Sequence, residues 1–354
     1  VPYYSVIGGW VIKYLVEYFR GNAKQLAEDG YFTDFISNGV STELCFMAFC
    51  AFTLIIIFAG VQNGIERVSK IMMPILIVLS VIIAVYSVTR PGALAGVKYF
   101  LVPNVKNFSW MTVVSAMGQM FYSLSIAMGI LITFGSYMKK DTAIEDSTRN
   151  VEVFDTGIAI MAGLMIIPAV FAFSGGDPNT LQAGPSLMFI TIPKVFQNMG
   201  FGTVIGIVFF LLVLFAAVTS SIALTESAVS TFEDELGWGR KKATVLVGVI
   251  MLALGSLSSL GYGPLAGIKI IGMQFLDLFD FLTNSVMMPI AALLTSLLVS
   301  RVVGIDKIED EIIHGESAFR RKKVFVVMIK YLCPVFAIII LLSSVANALG
   351  WIKM

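Results

Sequence analysis

Nine long apolar runs constrain the fold of this chain more than any other feature of its sequence. They begin near Val1, Glu43, Ile71, Trp110, Val153, Gly202, Ala243, Phe275 and Val324. A bilayer core about 30 Å thick needs about 20 mostly apolar residues in a helix. The runs are continuous rather than alternating, which favours helices over a membrane barrel. We therefore predict an all-α polytopic membrane protein that contacts the lipid bilayer along most of its length.

Charge and reactive side chains exclude several functions. Only 13% of the 354 residues are charged, about half the fraction usual in soluble domains. The net charge of +1 and the lack of a basic stripe argue against a nucleic-acid partner. One histidine and three cysteines leave little for a thiolate or imidazole metal site, and the predicted spans show no nucleophile with a base. An intramembrane enzyme is thus the least favoured function, and we predict no enzymatic activity.

The distribution of basic residues predicts the orientation. If the first span runs outward, the inward loops hold 14 Lys and Arg residues and the outward segments hold 8. The inward loops are then Val61 to Lys70, Met138 to Glu152, Glu233 to Lys242 and Arg301 to Lys323. Basic residues accumulate on the cytoplasmic side, so this orientation is favoured. We therefore expect a multi-pass membrane protein with these loops inside.

The fourth span is interrupted by small and hydroxylated residues. Its segment GQMFYSLSIAMG, from Gly118 to Gly129, has apolar sequence on both sides. Such residues are common in ordinary helix packing, which is one interpretation. The other is a discontinuous helix, whose freed carbonyls and helix ends bind ions or zwitterions near the midplane.

The sixth span places a carbonyl and two hydroxyls on one face. Ala216, Thr219 and Ser220 are spaced i, i+3 and i+4, and their oxygens are the type of ligand that a small alkali cation prefers. Such hydroxyls also commonly bond their own i−4 carbonyls, so the pattern leaves both roles open. Glu226 lies seven residues after Thr219, where a carboxylate either serves the site or satisfies a neighbouring helix.

Four motifs in order resemble the neurotransmitter:sodium symporter family, and specifically its bacterial eleven-helix amino-acid transporters. They are Tyr3-Tyr4 followed by Gly9-Trp10, then GIERVSKIMMP from Gly64, then GQMFYSLSIAMG with TFGSYMKKD, and finally AAVTSS followed by FEDEL at Phe232 to Leu236. Together they cover nearly the whole chain. The resemblance implies a multi-pass protein of the plasma membrane, in particular of the bacterial inner membrane.

This resemblance implies an inverted five-helix repeat transporter fold with the first repeat truncated. The first span resembles the third helix of the family, so the first two helices are expected to be missing and the sequence to be a fragment. Residues 1–90 would be the remnant of the first repeat, with family helices three to five. Residues 91–303 would be the second repeat, with helices six to ten, and residues 304–354 would hold the eleventh helix and the C-terminus.

The resemblance also implies site residues. Tyr4 matches the tyrosine that binds the substrate carboxylate, and the rest of the predicted substrate site consists of Tyr122, Ser123, Ser125, Ala127, Met128, Ser220 and Leu224. Two Na⁺ sites are expected, one with Ser123 and Asp155, the other with Ala216, Thr219 and Ser220. Asp280 matches an outer-gate acid, whereas Asp234 and Tyr137 match parts of an inner gate.

The function implied is sodium-coupled symport of a neutral amino acid, hydrophobic or aromatic, by alternating access. Chloride should not be required, because the Asp155 carboxylate can balance a sodium charge. The alternatives are an ion-conducting channel and a truncated product without transport activity. A channel would require rings of like residues, whereas the candidate ligands here come from single helices. The sequence leaves open which amino acid is carried, proton antiport and the oligomeric state.

Overall fold

A computed structural model of the chain describes residues 1–177, 181 and 184–351, and within them the regular secondary structure is helical. Parts of the predicted outward segments at 175–201 and 346–354 lie outside these residues. The helices are α1 (Pro2–Phe19), α2 (Ala23–Leu26), α3 (Tyr31–Ser37), α4 (Gly39–Phe58), α5 (Val61–Val88), α6 (Ala93–Leu101), α7 (Trp110–Ser123), α8 (Ile130–Ser136), α9 (Ile144–Ser174), α10 (Leu187–Gln197), α11 (Gly202–Leu236), α12 (Arg240–Leu260), α13 (Phe275–Val303), α14 (Ile305–Gly315) and α15 (Lys322–Ala348).

Seven helices in the described part of the chain are long and apolar enough to cross a membrane, namely α4, α5, α9, α11, α12, α13 and α15. They confirm seven of the nine predicted spans. The first predicted span is a helix of 18 residues, α1, but its tyrosines, Lys13 and Glu17 make it less apolar. The fourth is divided between α7 and α8.

Several spans begin earlier than the apolar runs predict. Helix α5 starts at Val61 rather than near Ile71, and α9 starts at Ile144 rather than near Val153. The added turns contain charged residues such as Arg67 and Glu145, which are good helix formers but contribute nothing to an apolar run. Hydropathy therefore predicts the part of a helix that lies in the membrane, not the end of the helix.

The segments between the predicted spans contain helices of their own. Helices α2, α3, α6 and α10 lie in the segments predicted to face outward, and α14 lies in the segment predicted to be the inward loop that begins at Arg301. These helices are short, so their composition gave no signal of a span.

The chain forms two compact units, and each is described by itself. The first comprises Val1–Pro103 and Ile158–Leu276. Within it α1 packs against α4, α11 and α12, and α5 packs against α11. An aromatic cluster joins α10 to this group. The hydroxyl of Tyr14 in α1 donates to the carbonyl of Phe189 in α10 at 2.8 Å, and the Tyr14 ring stacks on Phe210 of α11.

The second unit comprises Asn104–Gly157 and Asp277–Met354. Its main packing is α13 against α15, with α7 also contacting α15. Both units combine segments that are distant in sequence, and neither follows the boundaries of the two repeats expected from the resemblance. The repeat boundaries stay a prediction.

Candidate functional site

Of the two interpretations left open for the fourth span, the structure shows the discontinuous helix. Helix α7 ends at Ser123 and α8 begins at Ile130. Between them Ser125 and Ala127 have φ values of 55° and 61°, and Gly129 has 79°. Residues with a Cβ rarely adopt this left-handed conformation and do so at a cost in energy. The backbone therefore leaves the helical hydrogen-bond pattern in the middle of the segment, where its carbonyls can serve as ligands.

One predicted sodium-ligand pair lies at this break. The Ser123 hydroxyl donates to the Asp155 carboxylate at 2.6 Å, which joins the end of α7 to α9. A hydroxyl–carboxylate bond of this length is charge-assisted and fixes both side chains. The structure thus brings together Ser123 and Asp155, which are 32 residues apart in sequence.

The other predicted substrate and gate residues of the second unit lie along α7, the break, α8 and α13. Tyr122 is in the last turn of α7 and Tyr137 follows α8, each with about 40% of its surface exposed. Met128 lies in the break itself and is half-buried. Asp280 lies near the start of α13, where the Asn284 side-chain amide donates to its carboxylate at 2.7 Å.

In the first unit Tyr4 and Ser220 are brought together. Their side chains interact electrostatically and so connect α1 to α11. Leu224 lies one turn after Ser220 on the same face of α11 and is half-buried. A pair of hydroxyls next to an aliphatic side chain offers both polar and apolar contact. Asp234, in contrast, is exposed near the C-terminal end of α11.

Thr219 shows the local bonding that the sequence left open. Its hydroxyl donates to the carbonyls of Phe215 and Ala216, each at 3.0 Å. The hydroxyl proton therefore points back at the helix, and the oxygen retains its lone pairs. Such an oxygen can still accept a cation, so the bond fits a structural role and a ligand role equally well.

A buried ion pair near the C-terminal end of α11 shows that Glu226 satisfies a neighbouring helix, one of the two roles left open by the sequence, whereas its partner Arg240 was not predicted. Glu226 is fully buried and is held by Arg240 at two points, with N–O distances of 2.9 and 2.5 Å. Arg240 also donates twice to the Ile57 carbonyl at 3.1 Å and lies 3.5 Å from Glu233. The pair thus ties α11 and α12 to the end of α4. The sequence signal that could have predicted the pair was a carboxylate inside a span followed by an arginine at the start of the next helix.

The oxygen-bearing groups are of the type that suits Na⁺. Across the residues that the structure describes, no group of three or more His, Cys, Asp or Glu side chains could hold a metal ion. The candidate ligands are hydroxyls, carbonyls and a single carboxylate, which are hard oxygen donors.

Comparison with known proteins places this arrangement in a class of sodium-coupled membrane transporters. The model of the sodium:neurotransmitter symporter family matches residues 11–351, and the chain belongs to this family. It is accordingly a transporter and not an enzyme, as the sequence predicted.

Individual relatives agree with this assignment. The chain is 34% identical to the sodium-dependent transporter YhdH of Bacillus subtilis, over 98% of this chain and 76% of that protein. A sodium-dependent transporter of Haemophilus influenzae is 30% identical, over 97% of this chain and 76% of its own length. Among solved structures, the crystal structure of MhsT in complex with L-phenylalanine matches with a TM-score of 0.83 and 33% identity, over 97% of this chain and 78% of that chain.

Proposed function

We propose that this transporter carries a neutral amino acid with a hydrophobic or aromatic side chain, driven by Na⁺, by alternating access. The observation that carries the proposal is the likeness to MhsT, whose structure was solved with L-phenylalanine. The polar groups found near the helix break and on α11 support it. A zwitterion loses its water on entering a membrane protein, and such groups replace it.

Tyr4 is the proposed ligand of the substrate carboxylate. Its side chain lies near Ser220, so a second hydroxyl is available at the same place. Carbonyls near Tyr122, Ser123 and Ser125 are the proposed acceptors for the substrate ammonium, because the backbone there leaves the helix. Ala127, Met128 and Leu224 are proposed to contact the side chain.

Two sodium sites are proposed. The first uses Ser123 and Asp155, whose contact at 2.6 Å supports it. The second uses the Ala216 carbonyl with Thr219 and Ser220, which share one face of α11. Substrate and ion that share Ser123 or Ser220 stabilise each other's binding, and such reciprocal stabilisation is the basis of coupling.

Access to these ligands is proposed to be controlled at both ends of the transport path. Asp280 is the proposed outer-gate acid, while Asp234 and Tyr137 are proposed parts of the inner gate. The protein is proposed to work in the plasma membrane of a bacterium, with the 14 basic residues of the inward loops on the cytoplasmic side.

Uptake by the full-length protein in proteoliposomes tests the function. We expect phenylalanine or leucine to accumulate with an inward Na⁺ gradient and not when choline replaces Na⁺. Charged amino acids at the same concentration should not compete. Equal uptake in choline would refute coupling, and an amino-acid-independent Na⁺ current would favour a channel.

The role of Tyr4 is tested by Tyr4→Phe, with Tyr99→Phe as the control. Tyr99 is an exposed tyrosine of α6, and its ring contacts Phe171. Loss of a hydrogen bond to a carboxylate costs about 1.5–3 kcal/mol, or roughly ten- to a hundredfold in affinity. We expect this loss in the substrate dissociation constant of Tyr4→Phe alone. An unchanged constant would make Tyr4 a packing residue.

A further inference from the structure

Four consecutive basic residues lie at the start of the last helix. Arg320, Arg321, Lys322 and Lys323 lie at the start of α15, which is long and apolar enough to span the membrane. They belong to the inward loop with the most basic residues. Basic clusters at the cytoplasmic end of a span attract anionic lipid headgroups.

Two of the four charges are already paired. The Arg321 guanidinium lies 2.9 and 3.2 Å from the two oxygens of Glu152, and Lys322 is paired with Glu309. The hydrogen bond to the Glu152 carboxylate holds the pKa of Arg321 above its usual value. Arg320 and Lys323 have exposed side chains. Arg320 lies in the turn just before α15 and Lys323 in its first turn, so both charges stand at the N-terminal end of the helix.

The backbone of this basic run is fixed in place. The Arg320 backbone N–H donates to the Glu145 carboxylate at 2.9 Å, and Glu316 accepts the backbone N–H of Glu145 at 2.6 Å. At Gly315 a Cβ would lie 2.5 Å from the Thr142 carbonyl, so the end of α14 closely approaches the segment just before α9. A site held this way loses little conformational entropy when it binds a ligand.

An exposed apolar stripe continues from the two charges along α15. Val324, Val327 and Tyr331 are 63%, 49% and 66% exposed. Val324 and Val327 are three residues apart on the helix, and Tyr331 follows four residues later, slightly less than one turn of the π-helical stretch Met328–Leu332. Charge at the membrane end and apolar surface beyond it match a molecule with an anionic head and a hydrocarbon tail.

We propose that Arg320 and Lys323 bind the phosphate of an anionic phospholipid, whose acyl chain lies along Val324, Val327 and Tyr331. The stripe favours a lipid over free phosphate, which has no apolar part. The site uses none of the residues proposed for transport, so its test is independent of the substrate.

Native mass spectrometry of the full-length protein in detergent, titrated with phosphatidylglycerol or phosphatidylcholine, tests the site. We expect the wild type to bind phosphatidylglycerol more tightly. A basic residue at a membrane surface contributes about fivefold in affinity, so R320Q/K323Q should weaken phosphatidylglycerol about 25-fold and leave phosphatidylcholine unchanged. The control K139Q/K140Q removes two charges from another inward loop and should change neither.

Two further arms complete the test. R320K/K323R keeps both charges and should bind as the wild type does, which separates loss of charge from loss of folding. Soluble glycerol phosphate should not displace the lipid at equal concentration. The proposal is overturned if R320Q/K323Q keeps its preference for phosphatidylglycerol, if K139Q/K140Q loses it equally, or if glycerol phosphate competes on equal terms.

Discussion

The ion pair of Glu226 and Arg240 predicts an asymmetric response to mutation. Glu226 has no exposed surface, whereas 23% of the Arg240 side chain is exposed. Arg240→Ala leaves a buried carboxylate without its bidentate partner, a change that costs about 3–5 kcal/mol. In Glu226→Gln, Arg240 keeps the Ile57 carbonyl at 3.1 Å and Glu233 at 3.5 Å, and the amide oxygen still accepts a bond. We expect that variant to lose about 1–2 kcal/mol.

Thermal unfolding in detergent, followed by size-exclusion chromatography, measures this difference. On the entropy scale of soluble proteins, 3–5 kcal/mol in a chain of this length lowers the midpoint by about 4–7 °C. The double variant Glu226→Gln/Arg240→Ala should lose less than the sum of the two single variants, because no unpaired charge remains. The reasoning is refuted if Glu226→Gln is as harmful as Arg240→Ala, or if the two effects add.

Three other predictions concern single residues. Gly206→Ala places a Cβ 2.2 Å from the buried Tyr18 ring and should cost about 1–3 kcal/mol, or about 1–4 °C in the unfolding midpoint. The control Gly157→Ala meets no atom within 4 Å and should not lower the midpoint, so equal midpoints for the two variants would contradict the reasoning. Uptake should be chloride-independent, because the Asp155 carboxylate can balance the charge of Na⁺ in place of chloride. A carboxylate within a few ångströms of Na⁺ attracts it by roughly 4 kcal/mol at an effective dielectric constant near 20. Asp155→Asn should then become partly chloride-dependent, and identical uptake in gluconate and chloride would remove this role. Asp280→Ala should reduce uptake more than Na⁺ binding, with Asp277→Asn as the control, and wild-type uptake would remove Asp280 from the gate.

The sequence was informative where composition alone determines local structure. The small and hydroxylated residues from Gly118 to Gly129 marked this segment as a candidate for a break while leaving ordinary packing open, and the left-handed backbone at Ser125 and Ala127 shows the break. Apolar runs likewise predicted the spans, because the membrane requires a fixed length of apolar helix.

Contacts between distant segments were beyond the sequence. The Glu226–Arg240 pair depends on the turn at Gly237, whose φ of 60° reverses the chain between α11 and α12. The contact of Ser123 with Asp155 was expected only through the family resemblance, because 32 residues and a helix break separate them. Thr219 left two roles open, since its spacing fits a cation ligand and a helix-bonded hydroxyl alike.

The attachment of α10 to the first unit has a consequence for amide hydrogen exchange. Phe189, Ile192, Val195 and Phe196 are each at most 1% exposed, and the Phe189 carbonyl accepts the Tyr14 hydroxyl. Amides exchange when the structure around them opens, and buried aromatic contacts raise the free energy of that opening. Although α10 lies in a connecting segment between two long helices, its amides should therefore be protected as well as those of α1, and both should lose protection together when Tyr14 is replaced by phenylalanine.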